Sequence, residues 1–165
     1  MAVELLVKGE YSRGADALFE TAIHFSDLIR TIPRLTRYGK LLEVRMEEGC
    51  FYRTDLAVLG LLSYSDFGIQ IDKICRHKRV MISQGRCQSI RVWQHHLQIM
   101  ATASGGVWID RVLIDAGAMT PVISSIAKSM YLHRHKRRGA SVATASIGKS
   151  YRVITDGVPS FQAAH

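Results

Sequence analysis

Through most of this chain apolar positions recur at every second residue, and only near its end do they recur at every third or fourth. Val3, Leu5, Val7, Gly9 and Tyr11 alternate with Glu4, Lys8 and Glu10, which predicts a half-buried strand with one lapse at Leu6. Ser12-Arg13-Gly14-Ala15-Asp16 then opens a helix through Ala22, with Ala15, Leu18, Phe19 and Ala22 on one side. A second short helix, residues 25–32, has Ser26-Asp27 near its start and Pro33 as its stop. From Thr36 the period becomes two. Leu42, Val44 and Met46 alternate with Leu41, Glu43, Arg45 and Glu47, and Glu48-Gly49 turns the chain into residues 51–59. Further strands are predicted over 64–74 (Phe67, Ile69 and Ile71 on one face), 80–84, 89–103 and, past Ser104-Gly105-Gly106, 107–116.

Thr120-Pro121 marks the start of a long helix, because proline is tolerated where its missing N–H has no partner to lose. Val122, Ile123, Ile126, Ala127 and Met130 form one apolar stripe at helical period. The last turns, His133-Arg134-His135-Lys136-Arg137-Arg138, are almost wholly basic, which suits the negative end of the helix dipole. They read as a solvent-exposed end that folding does not need. Strand, two helices, six strands and a long helix, with short turns between the strands, imply an antiparallel meander. Its concave face must receive the helix stripe. Residues 1–138 therefore read as one α+β domain. Residues 139–165, rich in Ala, Ser and Gly, read as a C-terminal tail in which Tyr151-Arg152-Val153-Ile154 offers one short strand.

Composition changes this picture little. The chain has 165 residues, 47% of them hydrophobic and 22% charged, and no apolar run approaches the ~20 residues of a membrane span. Glu4 sits in a strand-like N-terminus, so a secretory signal is not expected. Cys50, Cys75 and Cys87 are odd in number and widely spaced, which points to buried free thiols and a cytoplasmic location. The net charge of +8 is concentrated in His133 to Arg138 and Arg76 to Arg79, which read as a solvated helix end and a basic turn. No specific nucleic-acid partner is expected. A weak contact with an anionic membrane through Arg134, Lys136, Arg137 and Arg138 is the competing use of that charge. No metal site or cofactor is expected, since Cys75, His77 and Cys87 make no credible ligand set. Gly105-Gly106 is explained by a hairpin turn.

The most polar stretch inside a strand is Gln94-His95-His96 with Gln98. Neighbouring strand residues face opposite ways, so the two histidines cannot share a face. His95 falls with Trp93, Leu97, Ile99 and Ala101, the more apolar set, and is placed inside. If the next turn has two residues, Asp110 shares that face, with Trp108, Val112 and Ile114. An inward His/Asp pair orients a ligand or acts as acid and base, with His95 the candidate catalytic residue. A satisfied core histidine with a surface aspartate fits the same letters. Tyr52, Tyr64 and Tyr131 each offer an apolar body with one hydrogen-bonding tip, or plain packing.

The order and lengths of the elements resemble the helix-grip fold of the SRPBCC superfamily. That group holds START lipid-binding domains, birch-pollen-type allergens and polyketide cyclase/dehydrase-like proteins. The resemblance covers residues 2–138 and is carried by Ser12-Arg13-Gly14-Ala15-Asp16-Ala17-Leu18-Phe19, by Gly105-Gly106-Val107-Trp108 and by the closing amphipathic helix. It implies a curved seven-stranded antiparallel sheet around the C-terminal helix and an apolar cavity for a lipid, polyketide or aromatic. The alternative it implies is a cyclase or dehydratase working in that cavity. Independently, one helix cannot cover a long sheet completely, and the gap is a ligand site by default. The expected lining is Val44, Tyr52, Phe67, Ile69, Trp93, His95, Leu97, Val122, Ile126 and Met130.

Overall fold

The computed structural model describes residues 1–32, 37–39, 44–58 and 62–149. Strand β1 (Val3–Tyr11) leads into helices α1 (Ala15–Ala22) and α2 (Phe25–Thr31). Strands β2 (Arg37–Gly39), β3 (Phe51–Val58), β4 (Leu62–Cys75), β5 (Val80–Arg86), β6 (Val92–Thr102) and β7 (Gly105–Asp115) follow. Helix α3 (Thr120–Arg137) and strand β8 (Val142–Lys149) close the chain. All eight strands join one sheet in the order β2-β3-β4-β5-β6-β7-β1-β8. The seven from β2 to β1 are the predicted curved antiparallel meander, and the period of two places His95, Leu97 and Ile99 inside while Met100 stays exposed.

The first departure concerns residues 44–47. Val44 and Met46 do not join the sheet as a strand. The Phe25 N–H donates to the Val44 carbonyl (3.1 Å) and the Met46 N–H to the Ile23 carbonyl (2.8 Å), so this segment crosses the α1–α2 junction. Met46 is buried and Val44 exposed. Leu42 lies outside the described residues.

The second departure is at the C-terminus. Gly139 takes the left-handed conformation (φ +87°). Its N–H donates to the Lys136 carbonyl (3.0 Å), and that of Ala140 to the His135 carbonyl (3.1 Å), a Schellman stop for α3. Residues 142–149 then run antiparallel to β1, from Glu10↔Val142 to Val3↔Lys149. The first part of the expected tail is therefore an eighth strand. Its half-buried positions, Ala143 and Ala145, are small, so the alternation leaves little trace in the letters. Tyr151 to Ile154 lie outside the described residues.

Two local fits bring the sheet and helices together. The β6–β7 turn is Ala103-Ser104, and Gly105 serves another purpose: at φ +146° a Cβ there would lie 2.1 Å from the Tyr11 carbonyl oxygen. The basic turn between β4 and β5 is not free in solvent either. Arg76 donates to Glu20 (2.6 Å) and Arg79 to Asp16 (2.9 Å), both on α1. No helix among the described residues is long and apolar enough to cross a membrane.

Candidate functional site

The Ala103-Ser104 turn sets Leu97 opposite Asp110 and His95 opposite Val112, which puts Asp110 on the inward face beside His95. Asp110 is buried and accepts three hydrogen bonds. His95 Nε2 (2.7 Å) and Trp108 Nε1 (3.0 Å) reach Oδ1, and His135 Nε2 (2.9 Å) reaches Oδ2. Burial by itself raises the pKa of this carboxyl. The hydrogen bonds from His135 and His95, and their charge, outweigh burial and hold it well below the usual carboxylate range.

An ionised carboxylate only accepts, so each imidazole carries a hydrogen on Nε2, an assignment made from the network. In the neutral His135 ring Nδ1 is then the acceptor, and the Tyr11 hydroxyl, 2.6 Å away, donates to it. Burial pushes the Tyr11 phenol up to about 12, against the nearby Arg138 charge, so it keeps its hydrogen. The result is a directed chain, Tyr11 to His135 to Asp110, met from the other side by His95. No hydrogen bond engages Nδ1 of His95 among the described residues.

These shifts set opposite limits on stability. The raised Tyr11 pKa makes its contribution complete below 10.0 and lost as pH climbs towards about 12. The depressed Asp110 pKa makes its contribution complete above 3.8 and lost as pH falls further. Urea midpoints measured against pH should fall on both sides, and Tyr11→Phe should flatten the alkaline limb alone. An unchanged alkaline limb would contradict the buried phenol.

The basic end of α3 is the largest correction to the sequence reading. The buried residues of α3 are Thr120, Ile123, Ser124, Ala127, Tyr131 and His135. His135 is 0% exposed. It fills a notch at Gly9 of β1, where a Cβ would lie 2.3 Å from its Nδ1. Arg138 is buried too: its Nε donates to Asp27 Oδ2 on α2 (2.7 Å), with side chains 2% and 3% exposed. Its guanidinium lies 4.0 Å from the centre of the Trp108 ring. Arg134 is half-buried over the Tyr131 ring and donates to Thr31 (3.4 Å). Lys136 and Arg137 are exposed, so of the four cations assigned to a membrane contact these two face solvent freely.

Between α3, the α1–α2 pair and the sheet lies a cavity of about 110 Å³. Phe67, Ile69, Trp93, His95, Leu97, Ile126 and Met130 line it, as placed from the sequence. Val44 and Val122 do not: they are 39% and 48% exposed. Tyr52 is not in the lining: it packs edge-on behind Phe25, which is, and accepts from the Glu47 N–H (3.0 Å). The Tyr64 side chain lies outside what is described. Tyr131 does line the cavity, T-shaped to His95 at 5.5 Å between ring centres. Sequence reasoning missed Met46, Met81, Ser83 and Arg134. Ser83 is detectable in hindsight, because the β5–β6 register sets it opposite His95. Cys50, Cys75 and Cys87 are free and half-buried, and no cluster suited to a metal ion occurs among the described residues.

A sheet wrapped on a long C-terminal helix, with a cavity between them, defines the helix-grip fold of the birch-pollen-type allergens. No protein-family model and no curated protein matches the chain. Solved structures do. Ara h 8.0201 is 11% identical over 81% of this chain and 96% of its own, with a TM-score of 0.57. Protein CV1439 from Chromobacterium violaceum is 11% identical over 80% of this chain and 93% of its own, with a TM-score of 0.65. TTHA0849 from Thermus thermophilus is 8% identical over 81% and 95%, with a TM-score of 0.62. At these identities the likeness is one of fold.

Proposed function

We propose that the protein binds a small hydrophobic molecule in the cavity between sheet and α3, oriented by a hydrogen bond to His95. The observation that carries this reading is an apolar cavity with one imidazole whose second nitrogen is unengaged among the described residues. At about 110 Å³ the space is of the order of the roughly 150 Å³ cavity that stays dry and takes up benzene, which favours a ligand part of single-ring size. The His95–Asp110 hydrogen bond favours a second reading, a cyclase- or dehydratase-type enzyme in the same cavity, with His95 as the base and Asp110 as its orienting partner. Native mass spectrometry of freshly purified protein tests occupancy. A non-covalent organic adduct is expected on the wild type and should be absent from Ile126→Trp, whose indole fills the cavity. An adduct retained in the variant would place the binding elsewhere.

A further inference from the structure

We infer that the ligand presents a hydrogen-bond donor, a phenol- or enol-like hydroxyl, to Nδ1 of His95; this rests on the binding reading above and specifies what the site selects. Asp110 can only accept, so it takes the Nε2 hydrogen of His95, and in the neutral imidazole Nδ1 is then the lone pair. The other imidazole cannot serve, because His135 is engaged at both nitrogens, by Tyr11 and by Asp110. The Trp108 N–H is spent on Asp110 as well. A carbonyl or ether oxygen would set lone pair against lone pair at Nδ1. A carboxylate would add a second negative charge to the cavity wall that Asp110 underlies. Arg134, the cation of the lining, is held over Tyr131 and donates to Thr31.

A hydroxyl both gives and takes a hydrogen bond, and the lining offers a counterpart for each. Ser83 sits opposite His95 in the β5–β6 register, lines the same cavity and supplies an O–H for the ligand oxygen. Apart from Gln84 and the Tyr131 hydroxyl the rest of the wall is apolar, with Phe67 and Trp93 brought together over Gly85, where a Cβ would lie 2.8 Å from Phe67 and 3.0 Å from Trp93. A flat ring bearing one acidic hydroxyl satisfies both the wall and its polar corner. If the hydroxyl releases its proton, Nδ1 receives it, and the resulting imidazolium stays between the ligand oxyanion and Asp110.

Phenol and toluene separate this inference from the reading beneath it, because they have nearly the same shape and exchange a hydroxyl for a methyl. Water holds phenol more strongly, so an apolar cavity without a partner would favour toluene. Calorimetric titration of the wild type should show phenol binding tighter by about tenfold or more. His95→Leu should reverse that order, and Ser83→Ala should reduce the preference for phenol. Toluene binding the wild type as tightly as phenol overturns the donor inference and leaves cavity binding intact. A preference for phenol that survives in His95→Leu also overturns it. If neither compound binds, both the inference and the proposed function fall. The wild-type comparison decides even if His95→Leu does not fold.

Discussion

Arg138→Met is expected to lower the unfolding free energy by about 3 kcal/mol, because it removes the buried cation of Asp27 and leaves that carboxylate only the exposed Arg30, 3.5 Å away. The cation over the Trp108 ring is lost in the same step. Lys136→Ala and Arg137→Ala, on the exposed side of the same basic run, should each change stability by about 0.5 kcal/mol or less. Urea unfolding of the three variants measures the contrast. The double variant Asp27→Leu/Arg138→Met should recover part of the loss, since it removes both buried charges together. Three equal and small effects would return this helix end to the solvated surface its composition suggests.

Asp110→Asn should lower stability by about 3 kcal/mol or more. The native oxygens accept from His95, His135 and Trp108, and an amide turns one acceptor into a donor facing an N–H. Gly9→Ala should reach the same network from behind, since its methyl would occupy the place of the His135 ring. The two losses should be far from additive, because each dismantles the Tyr11–His135–Asp110 chain. Thermal unfolding of both single variants and the pair checks this. A Gly9→Ala protein as stable as the wild type would contradict the close approach of α3 to β1.

The elements were readable where large apolar and polar residues alternate, as in β1, β4, β6 and β7. His95 was readable from its neighbours Trp93, Leu97 and Ile99, whereas Asp110 depended on a turn length that Ala103-Ser104 alone does not dictate. Val44 and Met46 carried the right alternation but meet α1 and α2, because a period of two describes any extended segment with one wet side. The buried role of α3's end was hidden by its charge. Ala127, Tyr131 and His135 continue one stripe at four-residue steps past the point where the apolar letters stop. Arg138 is buried because α2 brings Asp27 to it, a long-range pairing that no local pattern carries. Gly9 was the available hint: a glycine on the inward face between Val7 and Tyr11 leaves room for a side chain from another element.

The six methionines of the chain fall into two sets that make the central claim directly measurable. Met46, Met81 and Met130 line the cavity, while Met1, Met100 and Met119 are exposed. Carbon-labelled methionine methyls, followed by NMR as toluene is added, report on each one separately. Saturable shifts confined to Met46, Met81 and Met130, and abolished in Ile126→Trp, are the predicted result. Shifts at Met100 or Met119 with the lining methyls unmoved, or no saturable shift at all, would contradict a hydrophobic binding site between the sheet and α3.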